Sequence, residues 1–215
     1  MNNSYPIRKT LTLRHPGTIA ACSSSQRAAK KPTISEKRDA ILRSPTVLNA
    51  PSFREFFDTV LLDNEVVNAF HARQPRTSHP EVQMNGMTST GLQCSEQASG
   101  RASTSTLILP AEREVAAVCA FVSGLGLYML HQSGLWRQAQ PEPPLALHWA
   151  QEYRESILEI PLRVLRREQP ELAGLMAEVL EMSVRGDSCD PDRVARILAA
   201  VRLATLPNQA VWLAS

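Results

Sequence analysis

In residues 51–72, and again in the segments from Pro110 to Leu206, the apolar residues recur at steps of three and four, and no period-two alternation longer than a few residues appears there. Such a chain lays one apolar face of each helix against its neighbours, so the pattern predicts helix on helix and leaves no role for a sheet. The first zone, residues 51–72, reads PSFREFFDTVLLDNEVVNAFHA. Phe53, Phe56, Phe57, Val60, Leu61, Val66, Val67 and Phe70 share the period, and four of the five Phe in the chain fall here. Ser52 followed by Glu55 has the form of a capping box. A break at Asp63-Asn64 divides the zone into two helices. This much aromatic surface must pack on something large.

Later helices are marked by their starts. Pro110 suits a first helical position, with Glu112 and Glu114 near the positive end of the helix dipole. Val115, Val118, Cys119, Phe121 and Val122 then form an apolar face that is expected to end at Gly124, in the small break Ser123-Gly124-Leu125-Gly126. Residues 132–144 read as a loop. A long amphipathic helix starts near Leu145, with Leu147, Ile157, Leu158, Leu162 and Leu165 on one side, and Pro161 is expected to kink or break it. Pro170 opens a helix that ends near Gly186. Asp190-Pro191-Asp192 combines an N-cap, a first-turn proline and a first-turn acid, and the helix after it closes at Pro207. The expected fold is all-α, a bundle of about six helices.

Charge divides the chain. Residues 1–45 carry nine Lys or Arg against two acids, while the rest carries fourteen Arg against nineteen acids and no Lys. With a hydrophobic share of 43% and a mean hydropathy of −0.19, part of the chain is expected to lie outside any core. Residues 1–50 read as a basic, disordered arm, 51–207 as the helical domain, and 208–215 as a tail. Within the domain, 73–106 is rich in Ser, Thr, Gly and Gln and reads as a loop, unusually long for a compact domain. The arm's Ile7–His15 alternates weakly and suits a short strand or a strand added to a partner's edge. Arg14, His15 and Pro16 interrupt any signal-like segment, and no run of about 18 apolar residues predicts a membrane span. Cys22, Cys94, Cys119 and Cys189 show no zinc or disulfide spacing, which suits a reducing, cytoplasmic setting.

One order of features resembles a known family. VVNAFHARQPRTSHP is followed by GMTSTGLQC and then by AFVSGLGLYML. Phe70, Pro75, His79, Gly86, Leu92, Leu125 and Gly126 fall where they do in the HD superfamily of metal-dependent phosphohydrolases, and LALHWAQEYRESILEIPLRVL resembles the His-led helix after its motif. The similarity covers roughly residues 55–180 and is closest to relaxase-related HD proteins of plasmids and integrative conjugative elements. It implies an HD-like helical bundle. Where the family has its first metal His this chain has Thr90, and where it has the His-Asp pair this chain has Ser123 and Gly124. The family's metal lowers the pKa of a bound water that attacks phosphorus, and hydroxyls cannot replace its ligands at neutral pH. The resemblance therefore implies the fold without the chemistry, and no cofactor is expected.

Three readings follow. The first is a catalytically inactive HD-like protein of a bacterial mobile element, a binding or accessory module for DNA or for a transfer protein. The second is a phosphohydrolase with relocated metal ligands, for which His79 and His148 remain. The third is a DNA-binding regulator that uses its arm. Phosphate contacts would come from Arg8, Lys9, Arg14, Lys30 and Lys31, joined by Arg163, Arg166 and Arg167; the helical arginines would otherwise pair with Glu155, Glu159 and Glu168. No phosphate-binding Gly-rich loop and no nucleophile elbow is present.

Overall fold

A computed structural model gives the structure of the chain and describes residues 31–72, 86–135, 143–182 and 189–214. Among these the fold is all-α, with no strand. Ten α-helices are described: α1 Ile34–Leu42, α2 Pro45–Leu48, α3 Arg54–Val60, α4 Asn64–Phe70, α5 Gly86–Thr104, α6 Pro110–Val122, α7 Leu125–Gln132, α8 Pro143–Glu168, α9 Pro170–Val179 and α10 Pro191–Ala214. The described residues from Pro32 onward form one compact unit. Arg8, Lys9, Arg14 and Lys30 lie outside the described residues, as does the Ile7–His15 segment; Lys31 is exposed.

The centre is aromatic. Phe53, Phe56, Phe57, Phe70 and Phe121 are fully enclosed. The Phe70 and Phe121 rings stack with centroids 5.0 Å apart, and Phe57 meets Phe121 edge-on at 5.9 Å. Each such ring stabilises the fold by roughly 2 kcal/mol through burial. Around it α5 runs along α6, α7 along α8, α3 against α8, and α10 across α5 and α6. The stretch Pro110–Gln132 is long and apolar enough to cross a membrane by composition, yet 78% of its most apolar window is buried inside the fold. It is the core pair α6–α7.

Several expectations need correction. Residues 34–42 and 45–48 are helical and belong to the domain rather than to a disordered arm. Thr33 and Glu36 form a capping box, with Glu36 N–H donating to Thr33 Oγ1 at 3.2 Å and Thr33 N–H to Glu36 Oε2 at 2.6 Å. Ile41 is buried, and Lys37 Nζ donates to Asn68 Oδ1 at 2.7 Å, tying α1 to α4. Most of the supposed 73–106 loop is α5. Its inner face includes the small residues Gly91, Ser95, Ala98 and Ala102 beside Thr90 and Cys94, and their size lets it lie close to α6. Ser52 does not cap; Pro51–Phe53 is a 3-10 turn that leads straight into α3. Pro161 does not break α8, because Leu158, Leu162 and Leu165 beside it are buried and hold the helix in place. α10 likewise continues through Pro207 to Ala214, where a tail was expected. The break at Asp63-Asn64 and the Asp190 cap are borne out: Asp63 caps α4, its Oδ1 accepting from Glu65 N–H at 2.7 Å, and Asp190 Oδ1 accepts from Asp192 N–H at 3.0 Å.

Candidate functional site

The Ser123-Gly124 break is a joint rather than an end. Ser123 (φ −57°, ψ −35°) and Gly124 (φ −79°, ψ −10°) keep right-handed helical angles between α6 and α7. Ser123 Oγ donates to Ala120 O at 2.9 Å, and Tyr128 N–H donates to Gly124 O at 3.0 Å. A Cβ on Gly124 would lie 2.5 Å from Tyr128 Cζ and 2.6 Å from its Oη. Tyr128 is itself 3% exposed, so its ring fills the space into which a side chain at 124 would project. Burial pushes its phenol upward, so it stays protonated at ordinary pH.

Thr90 is buried on α5 beside Gly91, and a Cβ on Gly91 would stand 3.1 Å from Phe121 Cδ2 and 3.2 Å from Phe121 O. α5 therefore passes the last turn of α6 at Phe121, two residues before Ser123. Two hydroxyls and a glycine backbone do not fit a catalytic divalent cation, which takes imidazole or carboxylate ligands. Among the described residues no three His, Cys, Asp or Glu side chains are grouped to hold a metal. His148 sits on the exposed face of α8, its Nε2 3.3 Å from Glu152 Oε1 one turn on. Ala146 and Ala150, two residues to either side of it, are buried, so His148 points away from the α7 contact. His79 lies outside the described residues. Cys119 is fully enclosed, and burial pushes its thiol up, which makes it an inert core group.

Of the helical arginines named from the sequence, Arg163 pairs with Glu159 at 2.5 Å, Arg167 is exposed and Arg166 is half-buried. Glu155 instead accepts from Gln151 Nε2 at 3.1 Å.

Sequence reasoning missed a recess of about 230 Å³ next to the α6–α7 joint. Ser123, Arg154, Leu180, Glu181, Arg202 and Thr205 are on its walls. Arg154 Nη2 donates to Leu180 O at 2.7 Å, while its Nε is enclosed without a partner. Burial works against this guanidinium's charge, offset in part by the Glu181 and Glu155 carboxylates. Glu181 follows α9 in the left-handed region, φ 55°. There Met182 N–H donates to Ala177 O at 2.9 Å and Glu181 N–H to Glu178 O at 3.1 Å, a Schellman ending in which glycine is the usual residue. The Glu181 carboxylate pairs with Arg202. A larger recess, about 420 Å³ between α2, α5 and α6, is lined by Arg113 and Glu114, each of which has an enclosed polar atom without a hydrogen-bond partner, Arg113 Nε and Glu114 Oε2.

Compared with known proteins, the chain matches no family model, no curated protein and no solved structure.

Proposed function

We propose that this chain is a non-catalytic helical binding module on an HD-like frame. The observation that carries the reading is the Tyr128 ring lying against Gly124. An HD hydrolase would need a carboxylate at that position to help hold the cation that activates water. Here there is no side chain at 124, and the space for one is taken by an aromatic ring. Thr90 and Ser123 supply hydroxyls in place of the imidazoles.

A place in a bacterial mobile element, with DNA or a transfer protein as partner, rests on the resemblance and on the basic charge of the first 45 residues. The test is a salt titration of the full chain against single- and double-stranded DNA. It is repeated on a variant with Arg8, Lys9, Arg14, Lys30 and Lys31 changed to Gln, which leaves α1 intact. The proposal expects binding at low salt that falls steeply with salt and is lost in the variant. No binding at low salt overturns the DNA reading. Manganese-dependent turnover of a phosphodiester overturns the non-catalytic one.

A further inference from the structure

Two guanidinium groups line one small recess, and they are compensated very differently. Arg202 is paired with the Glu181 carboxylate, both side chains being 57% exposed. Arg154 has one hydrogen-bond acceptor among the described residues, the Leu180 carbonyl that ends α9. That carbonyl brings the partial negative charge of a helix C-terminus, and the Glu181 and Glu155 carboxylates act on this guanidinium through space, with no hydrogen bond to it. The enclosed Nε has no acceptor at all. The Ser123 and Thr205 hydroxyls complete the polar wall, each donating to a carbonyl of its own helix.

We propose that this recess binds a small oxyanion, a phosphate or carboxylate group, which ion-pairs with Arg154 and displaces the Glu181 carboxylate from Arg202. Its volume of about 230 Å³ exceeds the roughly 150 Å³ that admits benzene in an engineered core, so a group of this size enters without rebuilding the walls. An exposed ion pair contributes little to stability, so moving Glu181 aside costs little. Glu181 stands in for the ligand when no ligand is there. Its left-handed backbone, unfavourable for a residue with a Cβ, is the kind of local strain that collects at binding positions. Guanidinium suits the role because its planar donors match oxyanion oxygens. The inference rests on the reading of the chain as a binding module and names the ligand chemistry.

The test is calorimetric titration of the full chain with inorganic phosphate and, separately, malonate, alongside amide NMR shifts. At least one anion saturates a single site, with the largest shifts at Ser123, Leu180, Glu181 and Arg202. Phosphate alone points to a phosphorylated ligand and malonate alone to a carboxylic acid. Arg154→Met weakens binding by about tenfold or more, as loss of a charge-assisted hydrogen bond does. Glu181→Gln has the opposite sign and tightens binding, because the competing carboxylate is gone. If Arg154→Met fails to fold, the wild-type shift map and the Glu181→Gln result decide. The proposal is overturned if neither anion binds, if the shifts centre elsewhere, or if a folded Arg154→Met binds as the wild type does. Such a failure leaves the non-catalytic reading standing, whereas metal-dependent turnover would remove that reading without touching this titration.

Discussion

A Cβ on Gly126 would stand 1.8 Å from the carbonyl oxygen of Ala150, so α7 and α8 cross with backbone against backbone. Neither side of this contact is a flexible chain end. Gly126→Ala therefore forces the two helices apart and is expected to cost at least about 3 kcal/mol. Urea unfolding followed by circular dichroism measures it; a variant as stable as the wild type would mean that the helices do not cross this closely.

Gly124 makes a softer contact, with the ring of Tyr128 four residues on. Gly124→Ala is expected to cost about 1–3 kcal/mol, because the buried ring must move. In a Tyr128→Leu background the same change costs less by about 1 kcal/mol or more, since its obstacle has been removed. A double-mutant cycle with no coupling would contradict the packing described at the joint.

Glu112 is 2% exposed on α6 and meets Arg193 of α10, which also pairs with Glu171 of α9. One guanidinium thus ties three helices together. Its loss leaves a buried carboxylate whose remaining hydrogen bond is from Leu109 N–H at 2.9 Å. Arg193→Met is expected to cost about 3 kcal/mol, and Arg193→Met with Glu112→Gln noticeably less. Equal costs for the single and double variants would show that the buried charge is not the cause.

Glu55 on α3 and Glu168 at the end of α8 are close enough that the Glu168 charge, with a hydrogen bond between the two carboxyls, holds the Glu55 carboxyl above its ordinary range; Asp58 adds to this. A raised folded pKa means that the folded state holds its proton longer than the unfolded chain does. Stability from this pair is thus present below the ordinary carboxyl value, about 4.3, and falls as pH rises from there through the raised value. Glu168→Gln should flatten that slope in thermal melts across the mildly acid range. An unchanged slope would place its origin elsewhere.

What the sequence made legible depended on residue size and polarity. The Phe-rich α3 and α4, the break between them and the aspartate-capped start of α10 were readable because large apolar side chains leave a strong period and a capping carboxylate before proline marks a start. α5 was not, because its buried face is built of Thr90, Gly91, Cys94, Ser95, Ala98 and Ala102. It packs by being small, and a search for Leu, Val and Phe passes over it. α1 was obscured by the charges around it, although its Thr33–Glu36 box was in plain view. The joint between α6 and α7 was located, but its occupant was not, even though Gly124 and Tyr128 stand four residues apart on one helical face. Arg154 carried the clearest unread signal. It sits in the register Ala146, Ala150, Arg154, Leu158, Leu162, where every other member is buried. A cation in a buried ladder is a far stronger mark of a site than the arginines of the exposed face.

The most direct test of the account is a titration of the full, metal-stripped chain with manganese(II) at neutral pH. With Ser123 and Gly124 at the joint, Tyr128 filling it and Thr90 in place of an imidazole on α5, no saturable one-to-one binding is expected. Tight uptake of one equivalent that weakens when Thr90 and Ser123 are changed to Ala, and that brings phosphodiester turnover with it, would contradict the account.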